Sequence, residues 1–308
     1  MKQTNFLTEG AVLLALYAVL LFLVIYIPVI GVVLMFGLAL PFIIIAYRYS
    51  IKQSLLVYFA SLLLSMLIAN VSGIGTTLIF ATAGILMGHY YKKNQTMSAI
   101  IAGSLSYFVT TAILYSAVIA FLQIDIPGLI EESFQQSISL FQSMGQDIGD
   151  EQLKLLKEQL QTAEYMFPSV FVITGVILSF ITHLICSLML RRLKVQIQPL
   201  PPFREWSLPK NLIWYYLIAT ILMLFNLEKG SYWYIAALNV YYVLNFAMTV
   251  QGLSFVYFYS HHKKVSKALP ILVTVFSIIL PFLQQIVRIL GIIDLGFNLR
   301  TRIKQVGK

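Results

Sequence analysis

Asn70, Ser72, Thr76 and Thr77 lie close together in the chain, and an amide with three hydroxyls at that density can hydrogen-bond a small solute without covalent chemistry. Tyr115, Ser116 and Thr174 offer groups of the same kind. Ser and Thr also bond to carbonyls of their own helix, and Tyr favours membrane interfaces, so plain helix surface answers to the same residues. His183, beside Thr182, suits a proton or ligand site or a hydrogen-bonded structural histidine. Arg288 and Asp294 satisfy each other or other buried groups. Six residues apart on a helix they face different ways, so a direct pair requires a break. Glu9 opens the first helix, where the helix dipole favours a carboxylate.

Catalytic patterns are missing. The chain has no HExxH, no GxSxG, no GxxxxGK[ST] loop and no carboxylate pair within a span. His261 and His262 stand beside Lys263, Lys264 and Lys267, which fits a solvated turn better than a metal site. The expectation is a non-enzyme with no catalytic residue, metal or cofactor, and without an ATPase engine.

The elements that position these residues belong in a bilayer. Of 308 residues, 59% are hydrophobic and 11% charged, and the mean hydropathy is +0.84. A soluble domain carries about 25% charged residues, so no water-facing surface can be assembled from this composition. The formal charge of +9 fits basic residues at the ends of membrane spans rather than nucleic acid. Cys186 is the sole cysteine, so no internal disulfide forms. The N-terminal apolar stretch is too long for a signal peptide and lacks a small-residue cleavage site; it reads as the first span.

Crossing the hydrocarbon takes about 20 apolar residues. Spans are expected over 9–27, 30–46, 53–70, 75–91, 97–123 and 167–190, with a glycine-bearing turn (Ser72, Gly73, Gly75) between the third and fourth. Pro199, Pro201, Pro202 and Pro209 mark a linker over 196–210. Two further spans follow, 211–226 and 232–259, then a segment over 268–299 broken near Pro281. The fold class is an all-α polytopic transmembrane bundle. It divides into a core over 1–195, which includes an acidic loop at 124–166, the linker, and C-terminal membrane helices with a basic tail over 211–308.

Charge orients the trace. Lys2, Arg48, Lys52, Lys92, Lys93, Arg191, Arg192, Lys194, Arg204, Lys210, Lys263, Lys264 and Lys267 fall on one side, against Lys154, Lys157 and Lys229 on the other. Cytoplasmic loops favour Lys and Arg, which puts the N-terminus inside the cell membrane and the loop 124–166 outside. That loop holds Asp125, Glu131, Glu132, Asp147, Asp150, Glu151, Glu158 and Glu164. Its apolar residues recur at near-helical spacing, which predicts amphipathic helices joined through Gly145 and Gly149, acting as a cover or a lid. Small residues recur every fourth position at Ala11 and Ala15, at Ser61, Ser65 and Ala69, and at Gly84 and Gly88. Such stripes pack helices closely or dock another membrane subunit.

TEGAVLLALYAVL at 8–20, GIGTTLIFATAGILMGHYYKK at 73–93 and GIIDLGFNLR at 291–300 resemble the YybS-like family of uncharacterised bacterial membrane proteins over nearly the full length. The N-terminal part of that family in turn resembles the S components of energy-coupling-factor transporters. This second resemblance implies a six-span core with an internal N-terminus and a pocket closed by external loops. It also implies an AxxxA pair on the first helix that docks a membrane coupling subunit, matched here by Ala11 and Ala15. The two or three spans beyond residue 195 depart from that plan. The expected function is a small-solute-binding, transporter-like module, and the alternative is a scaffold for envelope proteins. Its partners are the lipid bilayer, a small solute and a coupling subunit or envelope protein, with no nucleic acid.

Overall fold

A computed structural model describes residues 2–144, 149–193, 197–225 and 227–306. Gly145, Asp147, Lys194 and Lys308 lie outside these residues, so the expected Gly145 joint does too. Every regular element is helical and none of the described residues forms a strand. Among the described residues, six helices are long and apolar enough to cross a membrane, and a bent pair adds a seventh candidate. The chain forms two compact units: Met1–Ile148 with Val170–Leu200, and Gly149–Ser169 with Pro201–Lys308. Residues 149–169, grouped with the core as part of the loop by the sequence reading, pack with the C-terminal unit.

In the first unit, α1 (Lys2–Tyr26) stops before Pro28, which opens α2 (Pro28–Leu34). A 3-10 turn at Met35–Gly37 leads to α3 (Leu40–Arg48), with Pro41 in its first turn, where a missing N–H costs nothing. Pro28–Arg48 together is long and apolar enough for one broken span. Next comes α4 (Ile51–Lys92), opened by a reciprocal Ser50–Gln53 capping box.

Although α4 is continuous in sequence, it is a hairpin. Ala69 and Asn70 leave helical geometry, Asn70 with φ +50°. Tyr58 then hydrogen-bonds Thr82 at 3.1 Å across 24 residues, a stretch that a straight helix would draw out to about 36 Å. The third and fourth expected spans are thus its two arms. Their reversal does not use the expected glycine turn. Asn70 carries it, since Asn tolerates positive φ, while Ser72, Gly73 and Gly75 are helical. Tyr26 donates to the Ile68 carbonyl at 2.8 Å and so satisfies an acceptor beside the break.

The arms pack on α3 because Gly84 and Gly88 bring backbone to backbone. A Cβ at either would run into the Ala39 or Ile43 carbonyl oxygen. Ser61, Ser65 and Ala69 are buried as well, so these two stripes serve packing within the chain. α5 (Thr96–Leu122) meets α8 (Phe167–Arg192), where Ser179 donates to the Ile100 carbonyl at 2.8 Å. Between them in sequence, α6 (Ile126–Ser143) and α7 (Asp150–Tyr165) give the expected pair of loop helices.

The second unit is built on α10 (Tyr232–His262). α9 (Leu212–Leu224) runs only 13 residues, short of the expected span. α11 (Ala268–Ile279) and α12 (Pro281–Phe297) meet at 119° where Pro281 breaks the segment. Contacts advance together along α10 and α12, Asn245 with Arg288 and Gln251 with Asp294, and continue past the end of α12 with Ser254 and Arg300. The two helices therefore run the same way. α12 ends near the end of α10 that α11 departs from, and the segment folds back. The last helix, α13 (Leu299–Val306), follows Asn298, whose φ of +49° stops α12.

Gly252 and Gly291 let α10 and α12 touch, with the Val287 and Met248 carbonyls where a Cβ would stand. Gly291→Val should lower stability by about 1–3 kcal/mol through overpacking. Gly37→Ala, with nothing within 4 Å of the added carbon, should leave it unchanged. Thermal unfolding of both variants in one detergent checks the contrast.

Candidate functional site

The groups expected to meet a solute are dispersed along the first unit, and most have partners in their own helix. Asn70 is exposed at the hairpin reversal, where its backbone conformation matters as much as its amide. Ser72 donates to the Ala69 carbonyl at 2.7 Å and Thr76 to the Ser72 carbonyl at 2.9 Å. Thr77 is fully buried, 2.6 Å from the Tyr17 hydroxyl and 2.7 Å from the Gly73 carbonyl. It fastens α1 to the second arm of α4.

Tyr115 packs edge-on against Phe171, with ring centroids 5.3 Å apart. Thr174 is exposed on α8. Ser116 donates to the Ala112 carbonyl and lines an open apolar depression of about 440 Å³ with Ile113, Ala117, Ala120 and Phe121. All of that lining comes from one face of α5. The structure joins Asn70, Ser72, Thr76 and Thr77 as one stretch around the reversal. It joins Tyr115 and Ser116 as a second stretch, on α5.

On α1 the small-residue stripe behaves differently from the other two. Ala11 and Ala15 are exposed, flanked by exposed Val12, Leu16 and Val19, while Leu13, Tyr17 and Leu21 face the core. Glu9 does not open this helix, which begins at Lys2. Its carboxylate instead pairs with Arg48 and accepts from the Tyr49 hydroxyl at 2.6 Å. That acceptor holds the Tyr49 phenol above its ordinary pKa. Lys92 donates to the Tyr49 carbonyl at 2.9 Å, so the α3–α4 turn is tied to α1 and to the end of α4.

His183 is buried and its Nδ1 lies 2.7 Å from the Tyr91 hydroxyl. Thr182 makes the corresponding bond to Tyr107 at 3.0 Å. Both pairs hold α8 in the bundle. Among the described residues no cluster of three His, Cys, Asp or Glu could hold a metal.

Arg288 and Asp294 do not satisfy each other. Arg288 donates to the Asn245 side-chain oxygen at 2.8 Å. Asp294, buried, receives Gln251 at 2.6 Å and Arg300 at 2.9 Å. The six-residue pair that does form is Asp294 with Arg300, made possible by the helix break at Asn298. Arg300 also donates to the Arg204 carbonyl and to Ser254, and Ser254 and Gln251 bind the backbone at Phe203, Trp206 and Leu208. One network therefore clamps the Pro-rich linker, α10, α12 and α13. Sequence reading missed it, although its signal stood in GIIDLGFNLR: an Asp and an Arg separated by an Asn able to end a helix.

The family model for DUF2232, described as a predicted membrane protein, matches residues 15–295. The chain belongs to this family. DUF2232 membership agrees with the apolar helices, and the chain is an integral, multi-pass membrane protein. It is similar to the uncharacterized protein YybS of Bacillus subtilis (strain 168), with 37% identity over 309 residues, covering 99% of this chain and 100% of that relative. No solved structure matches it.

Removing one member of the Asp294–Arg300 pair strands the other in a buried place. Arg300→Met or Asp294→Leu alone should cost about 3–5 kcal/mol. The double variant Asp294→Leu/Arg300→Met should recover most of that loss, because two apolar groups leave no charge behind. A double-mutant cycle read by thermal unfolding measures the coupling.

Proposed function

We propose that this protein is a small-solute-binding, transporter-like module of the cell membrane, with neither an ATPase of its own nor a catalytic centre. The N-terminus and the basic turns face the cytoplasm, and the acidic segment at 124–166 faces outward, in keeping with the charge bias. The observation that carries this reading is the outward face of α1. The stripes at Ser61, Ser65 and Ala69 and at Gly84 and Gly88 are consumed by packing, whereas Ala11 and Ala15 stay exposed. An exposed AxxxA face on the first helix is what docking to a separate coupling subunit requires, as the S-component resemblance implies. Asn70, Ser72 and Thr76 form the polar end of the hairpin where a solute would be met. Thr77 supports them from behind through Tyr17. Tyr115, Ser116 and Thr174 complete the set.

A second reading, a scaffold for envelope proteins, draws on the same face and on the hydroxyls. Ser72, Thr76 and Ser116 already bond to their own helix, and the depression on α5 is apolar. Such a surface suits a protein partner better than a polar solute.

Native mass spectrometry of protein purified from its own host membrane separates the two. Solute binding predicts a stoichiometric small molecule that disappears in Asn70→Gly, a variant that keeps the positive φ while removing the amide. An apo mass with a fixed protein partner would shift the assignment to a scaffold. Ala11→Trp and Ala15→Trp should each release a co-purifying subunit while leaving the thermal midpoint of the chain unchanged. A partner that stays bound would return those alanines to lipid contact.

A further inference from the structure

Within the C-terminal unit, Arg288 is a cation near the midpoint of α10, held on the re-entrant half of a broken membrane segment. Among the described residues no carboxylate lies within ion-pair distance of it. The four ion pairs in the structure belong to Arg48, Arg204, Lys229 and Arg300. Its one hydrogen bond goes to a neutral amide, Asn245. Asp294, the nearest carboxylate on its own helix, is already shared by Arg300 and Gln251. A charge within a membrane segment is costly unless something answers it, and among the described residues only the neutral Asn245 does.

What surrounds Arg288 is a set of donors. The Asn245 oxygen is used by Arg288, so its amide N–H groups point elsewhere. Gln284, one turn before Arg288 on the same face of α12, is exposed. Guanidinium and amide donors favour negative charge, and a guanidinium fork fits the paired oxygens of a phosphate or carboxylate.

We propose that Arg288, with Asn245 and Gln284, forms an oxyanion site that takes the phosphate or carboxylate group of a small anionic solute. This site is independent of the docking face on α1 and of the hairpin end at Asn70, so its test and theirs fail separately.

The experiment is thermal unfolding of the full chain in a neutral detergent. Sodium phosphate or sodium succinate is titrated against sodium chloride at matched ionic strength, and a parallel series adds phosphatidylglycerol or phosphatidylcholine. The wild type should be stabilised by phosphate or succinate beyond chloride. Arg288→Lys, which keeps the charge and loses the fork, should weaken the apparent affinity by about tenfold, and Arg288→Gln should abolish the response. Asn245→Asp supplies a carboxylate at nearly the same place. It should raise the midpoint in chloride and remove the oxyanion response, an outcome that no misfolded variant can imitate. Stabilisation by phosphatidylglycerol alone, lost in Arg288→Gln, would overturn the solute and make a lipid headgroup the source of the oxyanion. No oxyanion-specific shift in the wild type, or an equal shift in Arg288→Gln, would overturn the site.

Discussion

Hydrocarbon offers no hydrogen-bond partner, so each polar group that enters it must be answered from within the chain. That constraint explains most of the contacts that hold this protein together. Ser61, Ser65 and Thr82 donate to carbonyls of their own helix. Tyr17, Tyr91 and Tyr107 each reach a polar side chain on another helix, and those three bonds tie α1, α4, α5 and α8 into one unit. Where the helix itself must break, a neighbour answers the freed backbone: Tyr26 at the α4 reversal, and Gln251 with Ser254 along the Pro-rich linker. The Asp294–Arg300 pair is the same rule applied to charge. Against that background the buried hydroxyls of Ser106 and Ser260 find no partner among the described residues, and Arg288 is a charge answered by a neutral amide alone.

Much of the architecture was legible because membrane spans are written in composition. Basic knots ended the spans at Arg48, at Lys92 and at Arg191, and Pro28 and Pro281 broke the chain where expected. The two loop helices announced themselves through apolar periodicity. Legibility failed where geometry depends on one backbone angle or on a distant neighbour. Glycines near a reversal suggested the turn, yet Gly73 serves the close approach of the two arms and Asn70 makes the bend. Six residues separate Arg288 from Asp294 and also Asp294 from Arg300. Only the left-handed conformation of Asn298 decides which pair can form.

The polar residues singled out as a site show the same limit. A list of hydroxyls does not reveal where their protons go. Thr77 and Thr76 are neighbours in sequence, but Thr77 is spent on Tyr17 across the bundle and Thr76 on its own helix. Small-residue stripes are equally silent about direction. Three stripes with one spacing rule divided into two that pack inward and one that faces out, and only the neighbouring helices made that division. Membership of DUF2232 bears on the whole chain, since the match runs through both units.

The fold-back of α11 and α12 also bears on how the chain enters its membrane. α11 has 12 residues and α12 has 17, which at 1.5 Å per residue reach about 18 and 26 Å, less than the hydrocarbon thickness of about 30 Å. Neither alone reaches the full hydrocarbon thickness. The Arg288 charge makes early release into lipid unfavourable. The pair must therefore wait beside the nascent chain until the glycine face of α10 is available to receive it. Assembly of this unit is ordered, with α10 as the template and the hairpin as the last part to leave the insertion site.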